Sequence, residues 1–234
     1  MTARIVDLRK GILEKNDLLA ESLRNRFAEA NVSVSNWVSS PGTGKTALLE
    51  ALLTTAIERG IAAAALVGDC ATDNDAVRLS RSGAPVRQIV TESMCHLESD
   101  MISQHLEGWD LSALDLLVIE NVGNLVCPTA YDLGEGTRVA LLSVTEGEDK
   151  PVKYPQLFHS SDVIVITKTD IAAAVEWDRD QAIAAIRAVN PTAPIIETSS
   201  RSGAGVADLL DLLLTGSTLH TVKASNPPQL QEAP

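Results

Sequence analysis

The sequence predicts an α/β fold: a mostly parallel sheet with helices on both faces. Three observations carry that expectation. Short runs rich in valine, isoleucine and leucine alternate with stretches of helical period, the pattern of successive βαβ units. Several of these runs are apolar without interruption, as strands buried on both faces are. A glycine-bearing loop, Pro41-Gly42-Thr43-Gly44, separates the first run from a helical stretch that begins at once.

The elements follow in order. Asp7 to about Ala30 places Ile12, Leu18, Leu19, Leu23 and Phe27 at near-helical spacing. Ser33 to Ser39 alternates and is rich in valine, which predicts a strand. Thr46 to Arg59 is helical and stops at Gly60. Ile61 to Val67 is a buried strand ending in Gly68-Asp69. Asp73 to Ser82 is a helix, Val86 to Val90 a short strand and Ser99 to Leu106 a helix. Leu114 to Ile119 is a strand closed by Glu120; Arg138 to Val144 and Val163 to Thr167 are two more. Glu176 to Val189 is helical and ends before Pro191, Ile195 to Thr198 is a last strand, and Val206 to Leu214 a last helix. Three regions are expected: an N-terminal helical extension over 1–30, a domain over 31–216, and a disordered polar tail over 217–234.

Composition bounds the chemistry. The chain has 234 residues, enough for one well-buried core. Nineteen basic against thirty-one acidic residues give a net charge of −12, a field that repels nucleic acid and anionic lipid. Only 3% of residues are aromatic, too few for a base-stacking surface. No apolar run approaches the ~18 residues of a membrane span. The first residues are charged and carry no apolar signal core. Cys70, Cys95 and Cys127 do not resemble a disulfide framework. A cytoplasmic protein without nucleic-acid or membrane partners is expected.

Ser39-Ser40-Pro41-Gly42-Thr43-Gly44-Lys45-Thr46 between a strand and a helix is the pattern of a phosphate-binding P-loop. Glycines let several backbone N–H groups turn toward one phosphate, and the helix N-terminus adds favourable dipole charge. Lys45 is read as facing the β- and γ-phosphates rather than the core, and the Thr46 hydroxyl as a Mg²⁺ ligand. Ser39 stands where the pattern has its first glycine. Asp69 and Glu120 each close a buried strand at the sheet edge where ligands bind, and are candidates to hold Mg²⁺ through its waters. Thr167-Lys168-Thr169-Asp170 follows a strand and is similar to the base-reading element of GTPases. A carboxylate only accepts hydrogen bonds, so Asp170 suits the N1–H and N2–H₂ donors of guanine and would be left unpaired by adenine. The Lys168 stem can pack along the base, and Ser199-Ser200-Arg201 can offer a backbone N–H to the guanine O6. GTP is the expected nucleotide.

Softer ligands stand apart. Cys95 and His96 are adjacent, and Cys127 lies shortly after Glu120. Thiolate and imidazole together suit Ni²⁺ or Zn²⁺, although a single cysteine is more often a small buried apolar residue. Three ligands from one chain leave a fourth position for water or a second subunit.

The sequence resembles the hydrogenase nickel-insertion GTPases, the HypB family. The residues that carry the resemblance are Ser39 to Thr46; Gly68-Asp69 with Thr72, Asn74, Asp75, Ala76 and Arg78; Cys95-His96-Leu97; and above all Ile119 to Glu135. It runs from about Lys15 to Leu214. The resemblance implies a dimerising P-loop GTPase that hydrolyses GTP to GDP and phosphate, uses Mg²⁺, and passes Ni²⁺ to hydrogenase large-subunit precursors together with other maturation factors. It implies that Cys95, His96 and Cys127 bind Ni²⁺ or Zn²⁺ at the subunit interface of a homodimer. Cys70 stays structural. Lys45 and Glu120 are then catalytic, and Asp75 is the candidate to orient the attacking water. Histidines are scattered, at His96, His105, His159 and His220, with no histidine-rich stretch. Two rival readings are a P-loop kinase acting on a small molecule, and a non-enzymatic nickel-binding or storage module.

Overall fold

The computed structural model describes residues 2–69, 74–91 and 94–216. Cys70, Thr72 and the expected tail, Ser217–Pro234, lie outside the described residues. Fifteen elements follow one another: α1 (Thr2–Ala30), β1 (Ser33–Val38), α2 (Lys45–Glu58), β2 (Ala63–Asp69), α3 (Asn74–Ser80), β3 (Val86–Val90), α4 (Ser99–His105), β4 (Leu116–Glu120), β5 (Thr137–Ser143), α5 (Lys150–Lys153), α6 (Pro155–Ser160), β6 (Val163–Thr167), α7 (Arg179–Val189), β7 (Ile195–Glu197) and α8 (Val206–Gly216). Among the described residues the strands form one seven-stranded sheet in the order β3-β2-β4-β1-β5-β6-β7. Every neighbouring pair is parallel.

The two-residue period of a strand sorts the core into layers. Ala63, Ala65 and Val67 of β2, Leu116 and Val118 of β4, and Val163 and Val165 of β6 face Leu48, Leu49, Leu52 and Leu53 of α2 and Leu209, Leu210 and Leu213 of α8. The alternate residues face the other way. There Leu66, Leu117 and Ile119 meet Leu23 and Phe27 of α1 and Ile102 of α4. Further along, Ala140, Leu142, Ile164 and Ile166 meet Leu157 and Phe158 of α6 and Ile186 of α7. Helices therefore cover both faces, as the sequence pattern requires.

Some boundaries differ from the sequence reading, each for a local reason. The second strand starts at Ala63, because Gly60 is left-handed (φ +75°) and Ile61 N–H turns back to Ala56 O at 2.9 Å to close α2. The helix expected from Glu176 starts at Arg179, where the Asp178 carboxylate accepts from Gln181 N–H at 3.0 Å and fixes the cap. Residues 169–175 instead form a 3₁₀ turn. The short helices α5 and α6 were not expected; each has a proline in its first turn, Pro151 and Pro155, whose fixed φ suits that place, but neither is long enough to show a period. In β1 the alternation does not mark a solvated face. All six residues are buried, and the polar ones pair internally, Ser35 Oγ accepting from Trp37 Nε1 at 2.8 Å.

Candidate functional site

Because all strands run the same way, the loops after β1, β2, β4, β6 and β7 leave the sheet at one edge. The P-loop follows β1, the strand between β4 and β5. Gly42 (φ +79°) and Gly44 (φ +96°) take left-handed conformations that side chains rarely adopt, and so turn the loop into the first turn of α2. Lys45 starts that helix. The sequence reading has it facing the phosphates; in the structure it rests on a carboxylate. Its ammonium is buried 2.6 Å from Glu120 Oε1, and Thr46 Oγ1 donates to the same oxygen at 2.6 Å. Glu120 is fully buried, so its charge needs these partners. Its other oxygen, Oε2, is buried with no hydrogen-bond partner among the described residues. An orphaned anionic oxygen beside the Thr46 hydroxyl fits a hydrated Mg²⁺. Asp69 closes β2 on the same edge; β2 lies beside β4 with Val67 level with Glu120. Asp75 lies in the first turn of α3.

The base side of this edge is tied directly to the P-loop. Thr167 Oγ1 donates to Thr43 O at 2.7 Å, and Lys168, left-handed at φ +61°, donates to Gly42 O at 2.7 Å. The Lys168 stem passes so close to Gly44 that a Cβ there would sit 3.4 Å from Lys168 Cε. Asp170 Oδ1 accepts from the buried Ser199 hydroxyl at 2.7 Å, which fixes the carboxylate and leaves Oδ2 for a ligand. Ser200 and Arg201 are exposed beside it.

Sequence reasoning missed Glu146. It accepts from the hydroxyls of Ser40 and Thr43, both in the P-loop, from Ser143 N–H at 3.0 Å and from Lys150 Nζ at 2.9 Å. Burial pushes its carboxyl up, but these hydrogen bonds and the Lys150 charge outweigh it and hold the group below the ordinary carboxylate range. No motif announces Glu146, since its partners are distant in sequence or on its own short turn.

The softer ligands meet as well. One ligand atom each from Cys95, His96 and Cys127 lies within 4.8 Å of the others, all three residues half-buried. His96 Nδ1 is 3.9 Å from Cys95 Sγ, while Nε2 faces Glu98 Oε1 at 3.3 Å. With the ring proton on Nε2 held by Glu98, the Nδ1 lone pair is free for a cation, the outer-shell arrangement common to metal-binding histidines. Tyr131 stacks on the imidazole at 3.9 Å. Cys127 opens a short 3₁₀ turn, Cys127–Ala130, and Asn124 Oδ1 accepts from Val126 N–H at 2.8 Å and from Cys127 N–H at 3.4 Å. A hydrogen bond with Cys127, burial and the Cys127 charge together push the Cys95 thiol up. Two sulfurs competing over a proton are a poor arrangement for thiolates alone and a good one for a divalent cation. Val126 beside them is largely exposed, so the site opens outward.

A family model described as the CobW/HypB/UreG nucleotide-binding domain matches residues 33–197, which takes in the P-loop, the base loop and the metal cluster. The chain belongs to this family. Within it, the similarity is to hydrogenase maturation factors. The hydrogenase maturation factor HypB of Azotobacter chroococcum is 46% identical over 210 residues, covering 89% of this chain and 68% of that one. The Escherichia coli HypB is 43% identical over 212 residues, covering 91% and 73%. Among solved structures, HypB from Helicobacter pylori in complex with nickel superposes with a TM-score of 0.83 at 35% identity, over 92% of this chain and all of that one. HypB from Archaeoglobus fulgidus gives 0.79 at 38% identity. The resemblance carried by Ile119 to Glu135 thus extends across the domain, and the fold is that of the P-loop nucleotide hydrolases. No helix among the described residues is long and apolar enough to cross a membrane.

Proposed function

We propose that this chain is a GTP-hydrolysing metallochaperone that binds Ni²⁺ or Zn²⁺ at Cys95, His96 and Cys127 and delivers nickel during [NiFe]-hydrogenase maturation. The observation that carries the reading is the placement of both sites on one strand end. Glu120 closes β4 beside Lys45 and Thr46, and the segment that follows it ends in Cys127. The nickel-bound Helicobacter pylori relative supports nickel as the cargo.

On the nucleotide side, phosphoryl transfer needs positioning and charge neutralisation more than covalent chemistry. Backbone N–H groups of Gly42 to Thr46 hold the phosphates. Lys45 exchanges Glu120 for the β- and γ-phosphate oxygens, and Thr46, Asp69 and Glu120 would hold a Mg²⁺, which would supply further neutralising charge. Asp75 orients the attacking water. Asp170, fixed by Ser199, accepts from the guanine edge, with Lys168 along the base and Ser200-Arg201 closing over it. Thr167 ties the base loop to the P-loop through Thr43 O. On the metal side, the open fourth position is filled by water or by a second copy, so that a homodimer forms around the cation. The clients are the hydrogenase large-subunit precursor and other maturation factors, and the setting is the cytoplasm.

A calorimetric titration of GTP against ATP, with and without Ni²⁺ and with oligomer mass followed, tests the reading. GTP binds more tightly than ATP, is hydrolysed without an acceptor molecule, and Ni²⁺ raises the dimer fraction. Equal binding of the two nucleotides, or turnover that requires an acceptor, would return the small-molecule kinase. Metal binding without any nucleotide binding would return the storage module.

A further inference from the structure

Glu120 touches the nucleotide machinery, and the next residue, Asn121, is fully buried with its carboxamide turned the other way. Asn121 Oδ1 accepts from Leu97 N–H at 3.2 Å and from Val122 N–H at 3.0 Å. Leu97 directly follows His96. Asn121 Nδ2 donates to Asn36 Oδ1 at 3.1 Å, and Asn36 Nδ2 donates to Glu135 Oε1 at 3.1 Å. Glu135 is paired with Arg138 at 2.8 Å, and Arg138 donates to Tyr131 O at 3.1 Å and Thr129 O at 3.3 Å. The Tyr131 ring stacks on His96. The contacts therefore close a ring that passes from one metal-bearing segment through β4, β1 and the start of β5 to the other metal-bearing segment and back. It meets the nucleotide edge at the peptide between Glu120 and Asn121, at Asn121 N–H, which donates to Trp37 O at 3.1 Å, and at Gly123, where an added Cβ would sit 3.2 Å from Pro41 Cγ of the P-loop.

We infer that the Asn121 carboxamide, backed by Asn36 and Glu135, is the positioning relay that lets nucleotide state set metal affinity. The inference rests on the function proposed above and adds its route. Buried side-chain amides in a low-dielectric network hold their partners at fixed distances, and leaving one unpaired is costly, so the ring moves as a set or breaks. The outer ends of both segments are pinned. Asn16 of α1 accepts from Ser99 N–H at 2.9 Å and donates to Asp132 O at 2.8 Å. Displacement at Glu120 is thus passed toward 95–98 and 127–131, where the three ligands lie. When Lys45 and Thr46 leave Glu120 for a nucleotide, the end of β4 loses two of its partners and Asn121 shifts with it. Leu97 N–H follows Asn121 and re-aims His96 against the Cys127 segment.

The test is the ratio of Ni²⁺ affinities with GDP and with a non-hydrolysable GTP analogue, measured on the full chain for wild type, Asn121→Leu and Asn36→Leu. Neither residue belongs to the metal cluster or to the P-loop and base loop, and leucine keeps the branching of asparagine while removing its hydrogen bonds. In wild type the ratio falls within the ~5–150-fold range of typical site-to-site coupling. In both variants it collapses toward one. A variant that lowers Ni²⁺ affinity equally in every nucleotide state but keeps the ratio has only a structural role, and that result overturns the relay while leaving the proposed function standing. A wild-type ratio of one overturns coupling itself. Should either variant fail to fold, hydrogen exchange at Leu97 N–H in wild type decides. Its protection changes between the GDP and analogue forms if the relay is right; identical exchange overturns it.

Discussion

The nucleotide edge and the metal cluster both hang on the end of β4, yet they are held very differently. At the nucleotide edge several predicted groups already have a short hydrogen-bond partner: Lys45 and Thr46 on Glu120, Thr167 on Thr43, Lys168 on Gly42, Asp170 on Ser199. Glu146 clamps the P-loop hydroxyls from below. At the metal cluster the three ligand residues sit on short loops, half-buried, with contacts as long as 3.9 Å. One site is preorganised and closed; the other is open and incomplete. That suits a tightly held nucleotide and a cargo that must leave.

The contrast breaks most sharply at Lys45. Lys45→Ala strands a fully buried Glu120, which costs about 3–5 kcal/mol of stability, and removes the proposed phosphate ligand, which costs about 10²–10³-fold in turnover. Adding Glu120→Gln restores much of the melting temperature and none of the turnover. A single variant that melts like wild type would mean the ion pair is not a structural part of the closed site.

At the open site, Cys127→Ala lowers Ni²⁺ affinity by more than the about 10–100-fold that losing an outer-shell partner costs, and Glu98→Gln falls inside that range. Both leave the melting temperature nearly unchanged, because half-buried loops carry little of the core. Competition with a metallochromic chelator measures the affinity. Equal effects of the two changes would remove Glu98 from the second rank.

Asp170→Asn weakens GTP binding by about 10-fold or more and shifts preference toward xanthosine nucleotides, since an amide donates where the carboxylate only accepted. Parallel titrations with the two nucleotides read it.

The smallest effect concerns Glu146. Its carboxyl is held below the ordinary range, so its contribution to stability is present above that range and is lost as pH falls through the lowered value. Glu146→Gln lowers the melting temperature by about 2–4 °C at pH 7, the shift of ~1 kcal/mol in a domain of this size. The difference from wild type vanishes in acid. A difference that persists unchanged in acid would show that the carboxylate charge is not what clamps the P-loop.

The same contrast explains what the sequence made legible. The P-loop and the Thr167–Asp170 element are contiguous, because glycine conformations and a helix start must follow each other directly along the chain. The strands are legible from composition, because a strand buried on both faces tolerates little but aliphatic residues, as in Val163–Thr167. Cys95-His96 and Cys127 come from two separate segments, so their residue types suggest a set and only the resemblance outweighs the reading of each as a small buried residue; both segments are docked on Asn16, through Ser99 and Asp132. Glu98, Glu146 and the Asn36–Asn121–Glu135 line carry no local signature. Asn36 looks like an ordinary polar residue in an alternating strand until its partner on β4 is placed beside it. The Lys45–Glu120 pair was not legible for a related reason: a motif names the ligand a side chain serves and not the carboxylate it rests on.

The central claim is that the closed site governs the open one. It is tested most directly by calorimetric Ni²⁺ binding to wild-type protein in three states: nucleotide-free, with GDP, and with a non-hydrolysable GTP analogue. The complementary titration of the analogue into nickel-free and nickel-loaded protein completes the cycle. Because coupling between binding free energies is reciprocal, the factor by which the analogue changes Ni²⁺ affinity must equal the factor by which Ni²⁺ changes analogue affinity, and both must differ from one. Three identical Ni²⁺ affinities would contradict the claim: the two sites would then share a strand end and nothing more.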